Sequence, residues 1–428
     1  MINSNVSLEK NKIYKEQKES VGVVSIMPKK QKKNEKTRNL NLCIAIDISG
    51  SMNGSISVED FAGVKNNLNP FGSGESLKNK KSKLNLAKKA AQNLIDNLSS
   101  GDCISVLAFD GDVDVVIQPT FIEKNKEELK GKVERLKTRG MTNIHKAWLE
   151  STKKVAENFK SENINRILLL TDGRITVGER NMDKICGDIS KIREKNISLT
   201  CFGVGPDFAE ELMRYMSDSG DGNFYYIDEE DKFDEIFSQE LSGIDRIVGD
   251  TVIIEVEDNI YIKNDFKVVD NKVMLPNLVD EKEIVIFFEI KNLENIKNNK
   301  IKIGNLKYSD NGKIKNKVIE KNIEVVSKKD WEALPYNDQV KTQQILMDIV
   351  SIKKQVISDI DNENINDAKE KLNIALRDLN SLDIVDYRIE AEKRNIKQTI
   401  TDYESNKNLR SIRKDVYSQQ YMASTSRL

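Results

Sequence analysis

The chain changes its hydrophobic period twice, and the changes mark three patterned stretches. From about residue 39 to 243, short apolar runs alternate with amphipathic ones. The runs are Leu40–Ile46, Cys103–Phe109, Val113–Ile117, Ile164–Leu170, Ser198–Phe202 and Phe224–Ile227. Between them apolar residues recur at helical spacing, as in Leu84, Ala87, Ala91, Leu94 and Leu98, or Ile122, Leu129, Val133 and Leu136. Further helices are expected over Ile144–Phe159, Met182–Lys195, Phe208–Ser217 and Lys232–Ser242. Strand alternating with helix predicts an α/β fold, a mostly parallel sheet covered by helices on both faces. The turn Asp110-Gly111-Asp112 is too short for a crossover, so Val113–Ile117 is expected as an antiparallel edge strand.

From 246 to 327 the period falls to two. Asp250–Glu257, Lys282–Ile290, Lys300–Tyr308 and Lys315–Val326 read as strands, with hairpin signals at Asp270-Asn271 and Asp310-Asn311-Gly312. A small β-sandwich is expected. Val21–Ile26 is an isolated strand-like piece in an otherwise polar N-terminus, and its expected place is in that sandwich, making the α/β domain an insertion. Beyond 335 only helical patterns remain, over Val340–Ile360, Ile365–Leu379 and Ile384–Tyr403, which predicts a three-helix bundle. The tail from Tyr417 to Leu428 is polar and is expected to be mobile. The expected division is 1–38, 39–243, 244–328 and 329–428.

Composition narrows the chemistry. The 428 residues hold 68 Lys+Arg against 69 Asp+Glu, a net charge of −1, which argues against a nucleic-acid-binding surface. The basic run at 28–33 has no interleaved aromatics and reads as a solvated linker. There is one histidine, His145, so a multi-histidine metal site is excluded. Four cysteines without a C-x-x-C pair read as reduced core thiols. Neither a signal peptide nor a membrane span is evident, so a soluble, cytoplasmic setting is expected.

The candidate chemistry lies at strand ends. The first α/β run passes into Asp47-Ile48-Ser49-Gly50-Ser51-Met52, a carboxylate and two hydroxyls at alternate positions. Ligands of open α/β sheets bind outside the carboxyl ends of the strands. Two further loops should leave that edge, one holding Gly140-Met141-Thr142-Asn143 and the other Thr171-Asp172-Gly173. Together they would gather Asp47, Ser49, Ser51, Thr142 and Asp172, donors that are all oxygen. Such a set favours a hard cation, Mg²⁺ before Mn²⁺ or Ca²⁺. If neutral hydroxyls take the direct positions, the ion stays electrophilic toward one more anion, such as an acidic side chain of a partner.

These five residues, in this order, resemble the metal-ion-dependent adhesion site of von Willebrand factor type A domains. The resemblance covers about 200 residues, and the regions after it resemble bacterial multidomain members in architecture alone. It implies that Ser49, Ser51 and Thr142 bind metal through hydroxyls, that Asp47 and Asp172 often act through water, and that a partner's Asp or Glu completes the shell. It also implies a non-enzymatic interaction protein. One departure stands out: a polar stretch from Asn53 to Ser82 separates the serine motif from its helix and must emerge beside the metal. Two other functions remain open. One is a scaffold subunit of an ATPase or kinase/phosphatase system, working through the helical region. The other is Mg²⁺-dependent phosphotransfer from Asp47, which the serine at position 49 disfavours because aspartyl-phosphate enzymes carry a second Asp there.

His145, Gly203-Val204-Gly205 and the Asp110, Asp112, Asp114 alternation are each expected to be structural. The glycine pair lacks the lysine of a phosphate loop, and the aspartates lack the glycine and glutamate of a calcium loop.

Overall fold

The computed structural model describes residues 2–29, 38–54, 82–227 (except 194, 206 and 207), scattered positions between 235 and 243, and 246–425 (except 296–298, 311, 383, 385 and 406). Most of the basic run at 28–33, most of the Asn53–Ser82 stretch and much of the expected helix at 232–242 lie outside the described residues. The chain forms two compact units, Lys36–Asp245 and the combination of Met1–Glu35 with Arg246–Leu428.

The first unit is built on a six-stranded sheet. In spatial order its strands are Val113–Phe121, Cys103–Phe109, Leu40–Asp47, Ile164–Thr171, Ile197–Val204 and Asp221–Ile227. All neighbours pair in parallel except the first two, where Val113–Phe121 runs antiparallel at the edge. Every residue of Leu40–Asp47, Cys103–Phe109 and Ile164–Thr171 is buried. That is why these strands read as continuous apolar runs rather than as alternation: helices cover both faces. The helices are Lys83–Asn97, Lys126–Glu134, Ile144–Glu157, Met182–Arg193 and Glu210–Ser219. Their buried positions follow the helical stripe, for example Leu84, Ala87, Ala91 and Leu94 on the first. The chain leaves the central strand Leu40–Asp47 toward one neighbour and later returns on its other side, at Ile164–Thr171. This reversal opens a crevice between the carboxyl ends of those two strands.

The second unit holds a β-sandwich and a set of helices. One sheet is ordered Ile2–Leu8, Glu19–Pro28, Ile284–Lys291 and Ile260–Ile262. The other is ordered Lys267–Val269, Lys272–Met274, Ile247–Val256, Lys300–Asp310 and Lys313–Asn322. Val24, Ile26, Ile286 and Phe288 from the first sheet meet Val252, Ile254, Ile303 and Leu306 from the second in one core. Asp270 and Asn271 both have positive φ, the left-handed conformation that a two-residue hairpin of this hand needs.

Two expectations about this unit require correction. The N-terminal residues are not merely polar: Ile2, Val6 and Leu8 are buried on a strand paired with Glu19–Pro28. Its outward residues are Asn and Ser, which hid the alternation. The C-terminal region has four long helices, Asp338–Asp361, Ile365–Ser381, Tyr387–Glu404 and Leu409–Ser424, and a short one at Lys328–Glu332. Residues 417–424 of the tail expected to be mobile are therefore helical, with Tyr421 buried. Val340 at the start of the first long helix packs on Val23, Val285 and Phe287 of the sandwich.

Candidate metal site

The five candidate residues lie at the crevice between the two central strands. Asp47 is the last residue of its strand and Asp172 follows directly on Ile164–Thr171, and both are fully buried. Ser49 is buried in the loop after Asp47, while Ser51 is exposed on a single 3₁₀ turn, Gly50–Asn53. Thr142 is buried just ahead of the helix Ile144–Glu157, whose N-terminus is capped by the Asn143 side chain accepting from the Lys146 N–H.

Hydrogen bonds join the loops. The Ser49 N–H donates to Asp47 Oδ1 at 2.8 Å, which folds the loop back over its own carboxylate. Ser49 Oγ and Ser51 Oγ are 3.0 Å apart, and Ser51 Oγ donates to Asp172 Oδ1 at 2.7 Å. Thr171 Oγ1 donates to Asp47 Oδ2. Thr142 is fixed by a pair of bonds with Thr176: its N–H donates to Thr176 Oγ1 at 2.8 Å, and its carbonyl accepts from the Thr176 N–H at 3.0 Å. Gly173 brings the third loop in. A Cβ there would lie 3.1 Å from Thr142 Oγ1 and 3.7 Å from Asp47 Oδ2. The Arg139 N–H also donates to the Ile48 carbonyl, tying the Thr142 loop to the serine loop.

Burial pushes the Asp47 carboxyl up to about 7, against the bonds from Thr171 and Ser49, with the nearby Asp172 adding to the rise. Its charged form is thus short of compensation.

Among the described residues no three His, Cys, Asp or Glu side chains form a metal-binding group. The set here differs in kind, two carboxylates with three hydroxyls. Its spacing suits a small octahedral ion: cis oxygens on Mg²⁺ with bonds near 2.1 Å lie about 3.0 Å apart, the separation of the serine oxygens. Among the described residues the rim formed by Gly50, Ser51, Gly140 and Met141 is exposed.

Several participants escaped the sequence reading. Thr171 and Thr176 carry ordinary residue types, and only the fold brings them to the aspartate and the threonine. Lys83, the first residue of the helix Lys83–Asn97, places Nζ 2.6 Å from Asp172 Oδ2 with both side chains buried. Its only sequence signal is its position at the end of the polar stretch, just before the apolar stripe.

The remaining candidates have contacts of their own. His145 stacks on Trp148, with ring centroids 5.8 Å apart, and burial lowers its pKa. Asp110 and Asp114 pair with Arg139, and Asp112 pairs with Lys146 at 2.6 Å. Gly205 makes a turn at φ +75°.

Comparison with known proteins agrees with this architecture. Residues 41–239 match the model of the von Willebrand factor type A domain. The uncharacterized protein YfbK of Escherichia coli is 28% identical over 235 residues, 54% of this chain and 36% of that protein. Inter alpha-trypsin inhibitor heavy chain 4 of Mus musculus is 26% identical over 193 residues, 43% of this chain and 17% of that protein. The chain thus spans well under half the length of these curated relatives. Among solved structures, a von Willebrand factor type A protein from Catenulispora acidiphila superposes with a TM-score of 0.67 at 15% identity, covering 99% of this chain and 96% of that one. The ArnB paralog VWA2 from Sulfolobus acidocaldarius gives 0.59 at 17% identity, covering 100% and 99%. Sheet order, crevice and family match agree: residues 41–239 are a von Willebrand factor type A domain, a fold used as a protein-interaction module.

Proposed function

We propose that this protein binds an acidic side chain of a protein partner in a Mg²⁺-dependent manner through Asp47, Ser49, Ser51, Thr142 and Asp172. The observation that carries the reading is the continuous oxygen path from Ser49 Oγ through Ser51 Oγ to Asp172 Oδ1, with steps of 3.0 and 2.7 Å, beside the buried Asp47. Three hydroxyls and two carboxylates fit a hard divalent cation, and Asp47 gains the positive charge that its burial calls for. When bound, the cation supplies concentrated positive charge to one further anionic oxygen.

The residues of this chain hold and orient; they carry out no covalent step. Ser51 has no imidazole within the contacts it makes, and position 49 is a serine where an aspartyl-phosphate enzyme has its second acid. Cys43, Cys103 and Cys201 are buried as reduced core thiols usually are, and a reducing, cytoplasmic setting is part of this reading. Among the described residues no helix is long and apolar enough to cross a membrane.

The test is a Mn²⁺ titration followed by the loss of the free-ion electron paramagnetic resonance signal, together with a pull-down in Mg²⁺ or in EDTA. One bound Mn²⁺ per chain is expected, lost in Asp47→Ala, along with partner capture that disappears in EDTA. Capture indifferent to EDTA and to Asp47→Ala overturns the reading.

A further inference from the structure

Lys83 is in an unusual position for a lysine. It is the first residue of the helix Lys83–Asn97, where the helix dipole favours acidic side chains, and that first turn has none. It is 5% exposed, a burial that lysines accept only with a partner. Its ammonium lies 2.6 Å from Asp172 Oδ2, on the opposite oxygen from the one that accepts from Ser51. Room for the side chain comes from Gly205. A Cβ at that position would lie 3.0 Å from Lys83 Cε and 3.1 Å from Nζ, and φ of +75° already disfavours any other residue. The backbone fixes the lysine from the other end, since its N–H donates to the Gly54 carbonyl at 2.9 Å, just past the serine motif.

We infer that Lys83 is a resident cation of this site, a positioning residue that holds Asp172 and competes electrostatically with the divalent ion for it. The inference rests on the metal-binding reading above. The charge count gives its direction. With both ionised, as they would be around a divalent ion, Asp47 and Asp172 carry two negative charges between them, and Lys83 balances one. Because of that ammonium a divalent ion meets about half the net charge that two free carboxylates would offer, in a buried region where screening by water is weak. The same balance leaves the loaded site with a net charge of about +1, from two for the ion, one for the lysine and minus two for the aspartates. Lys83 thus trades metal affinity for attraction toward an incoming carboxylate.

The experiment is a Mn²⁺ titration of the full chain, by electron paramagnetic resonance and by calorimetry, on wild type, Lys83→Met and Lys83→Gln. Melting with and without Mn²⁺ is measured in parallel. The glutamine variant keeps a neutral donor for Asp172, so it reports on charge if the methionine variant fails to fold. The expected result is Mn²⁺ affinity raised about tenfold or more in the neutral variants. Their metal-free melting temperature should fall and be restored by Mn²⁺. A purely structural lysine predicts the opposite, weaker binding as Asp172 loses its support. Unchanged or weaker affinity in a folded neutral variant, with wild type binding Mn²⁺, overturns the role of Lys83 and leaves the metal reading intact. Binding by the neutral variants alone supports the inference in its strongest form. No binding by any of the three overturns both.

Discussion

Ser51 donates to Asp172 at 2.7 Å although 121 residues separate them in the chain. One exposed hydroxyl thus joins the loop after the first strand of the domain to the loop after its fourth. Because Ser51 is at the surface, its loss should hardly disturb folding, within about 0.5 kcal/mol for an exposed site. Its loss from the oxygen path should matter far more. Ser51→Ala is expected to keep the wild-type melting temperature and lose about 10–100-fold in Mn²⁺ affinity, the range seen when metal-supporting groups are removed. Calorimetric titration beside thermal melting checks both halves, and unchanged affinity removes Ser51 from the site.

The Thr142 loop depends on Gly140. Its φ is +68°, and a Cβ there would fall 2.3 Å from Asp110 Oδ2, the carboxylate that also accepts from Arg139 Nε at 3.1 Å. Gly140→Ala therefore combines left-handed strain with a clash, a cost of about 1–3 kcal/mol. The loop should yield before the sheet does, moving Thr142 away from Asp47. The expected outcome is a modest fall in melting temperature and a clear fall in Mn²⁺ affinity, although no candidate ligand has been changed. Full affinity in Gly140→Ala would show that Thr142 is placed independently of this turn.

How much of this was legible in the sequence differs by region, for physical reasons. The strands of the α/β domain are buried on both faces, so Leu40–Asp47 and Ile164–Thr171 stand out as apolar runs, and chemistry at their ends is easy to find. The antiparallel edge strand follows from the shortness of its turn, and the structure has it. Ile2–Leu8 was missed because its apolar residues are few and its partner strand, Glu19–Pro28, lies beyond a polar connection. The last helix was missed because Gln, Ser and Tyr make up most of its buried face, as Gln420, Tyr421 and Ser424 do. Lys83 carries no motif at all. Its role arises only when the sheet brings Asp172 and Gly205 to the start of its helix.

Glu240 is another buried charge in the same domain, 2% exposed. Arg166 Nη1 and Thr200 Oγ1 donate to one of its oxygens, Asn223 Nδ2 and Tyr225 OH to the other. Burial alone would raise its pKa, but the Arg166 guanidinium and these donors together hold it below the usual range. A carboxyl depressed in the folded state adds stability above its unfolded pKa and loses it as pH falls through the folded value. Glu240→Gln leaves Arg166 without its counter-charge, at a cost of about 3 kcal/mol. Urea unfolding should show that gap near pH 7 and a shrinking gap below about pH 4. An equal gap at both pH values would mean that the loss is one of packing rather than charge.

Thiol chemistry offers a check on the cores. Burial pushes Cys43 up to about 11 and Cys201 to about 12, and Cys103 is raised to about 11 by the same cause. Cys186 alone is only partly buried. Because the thiolate is the reactive form, alkylation of the native protein at pH 8 should begin at Cys186 and leave the other three largely unmodified. Peptide mass spectrometry after a timed exposure to iodoacetamide distinguishes them. Early modification of Cys43 would mean that the sheet opens readily at its central strand.

The sharpest contrast between sequence and structure concerns the C-terminus, where residues 417–424 of a tail expected to be mobile form the second half of the helix Leu409–Ser424. Ile412, Val416 and Tyr421 are each about 1% exposed or less, and the helix lies against Asp338–Asp361. Arg413 pairs through two nitrogens with Asp361, and Gln420 donates to Asp265 of the sandwich at 2.8 Å. Burying each apolar side chain contributes about 1.5–3 kcal/mol, so ending the chain at residue 408 removes several kcal/mol and bares the groove the helix covered. The truncated protein should melt at a lower temperature than the full chain. Limited proteolysis should cut it first within 338–404, where the full chain resists. If the truncated and full proteins instead melt together and are cut alike, the helix contributes nothing to the unit it packs on.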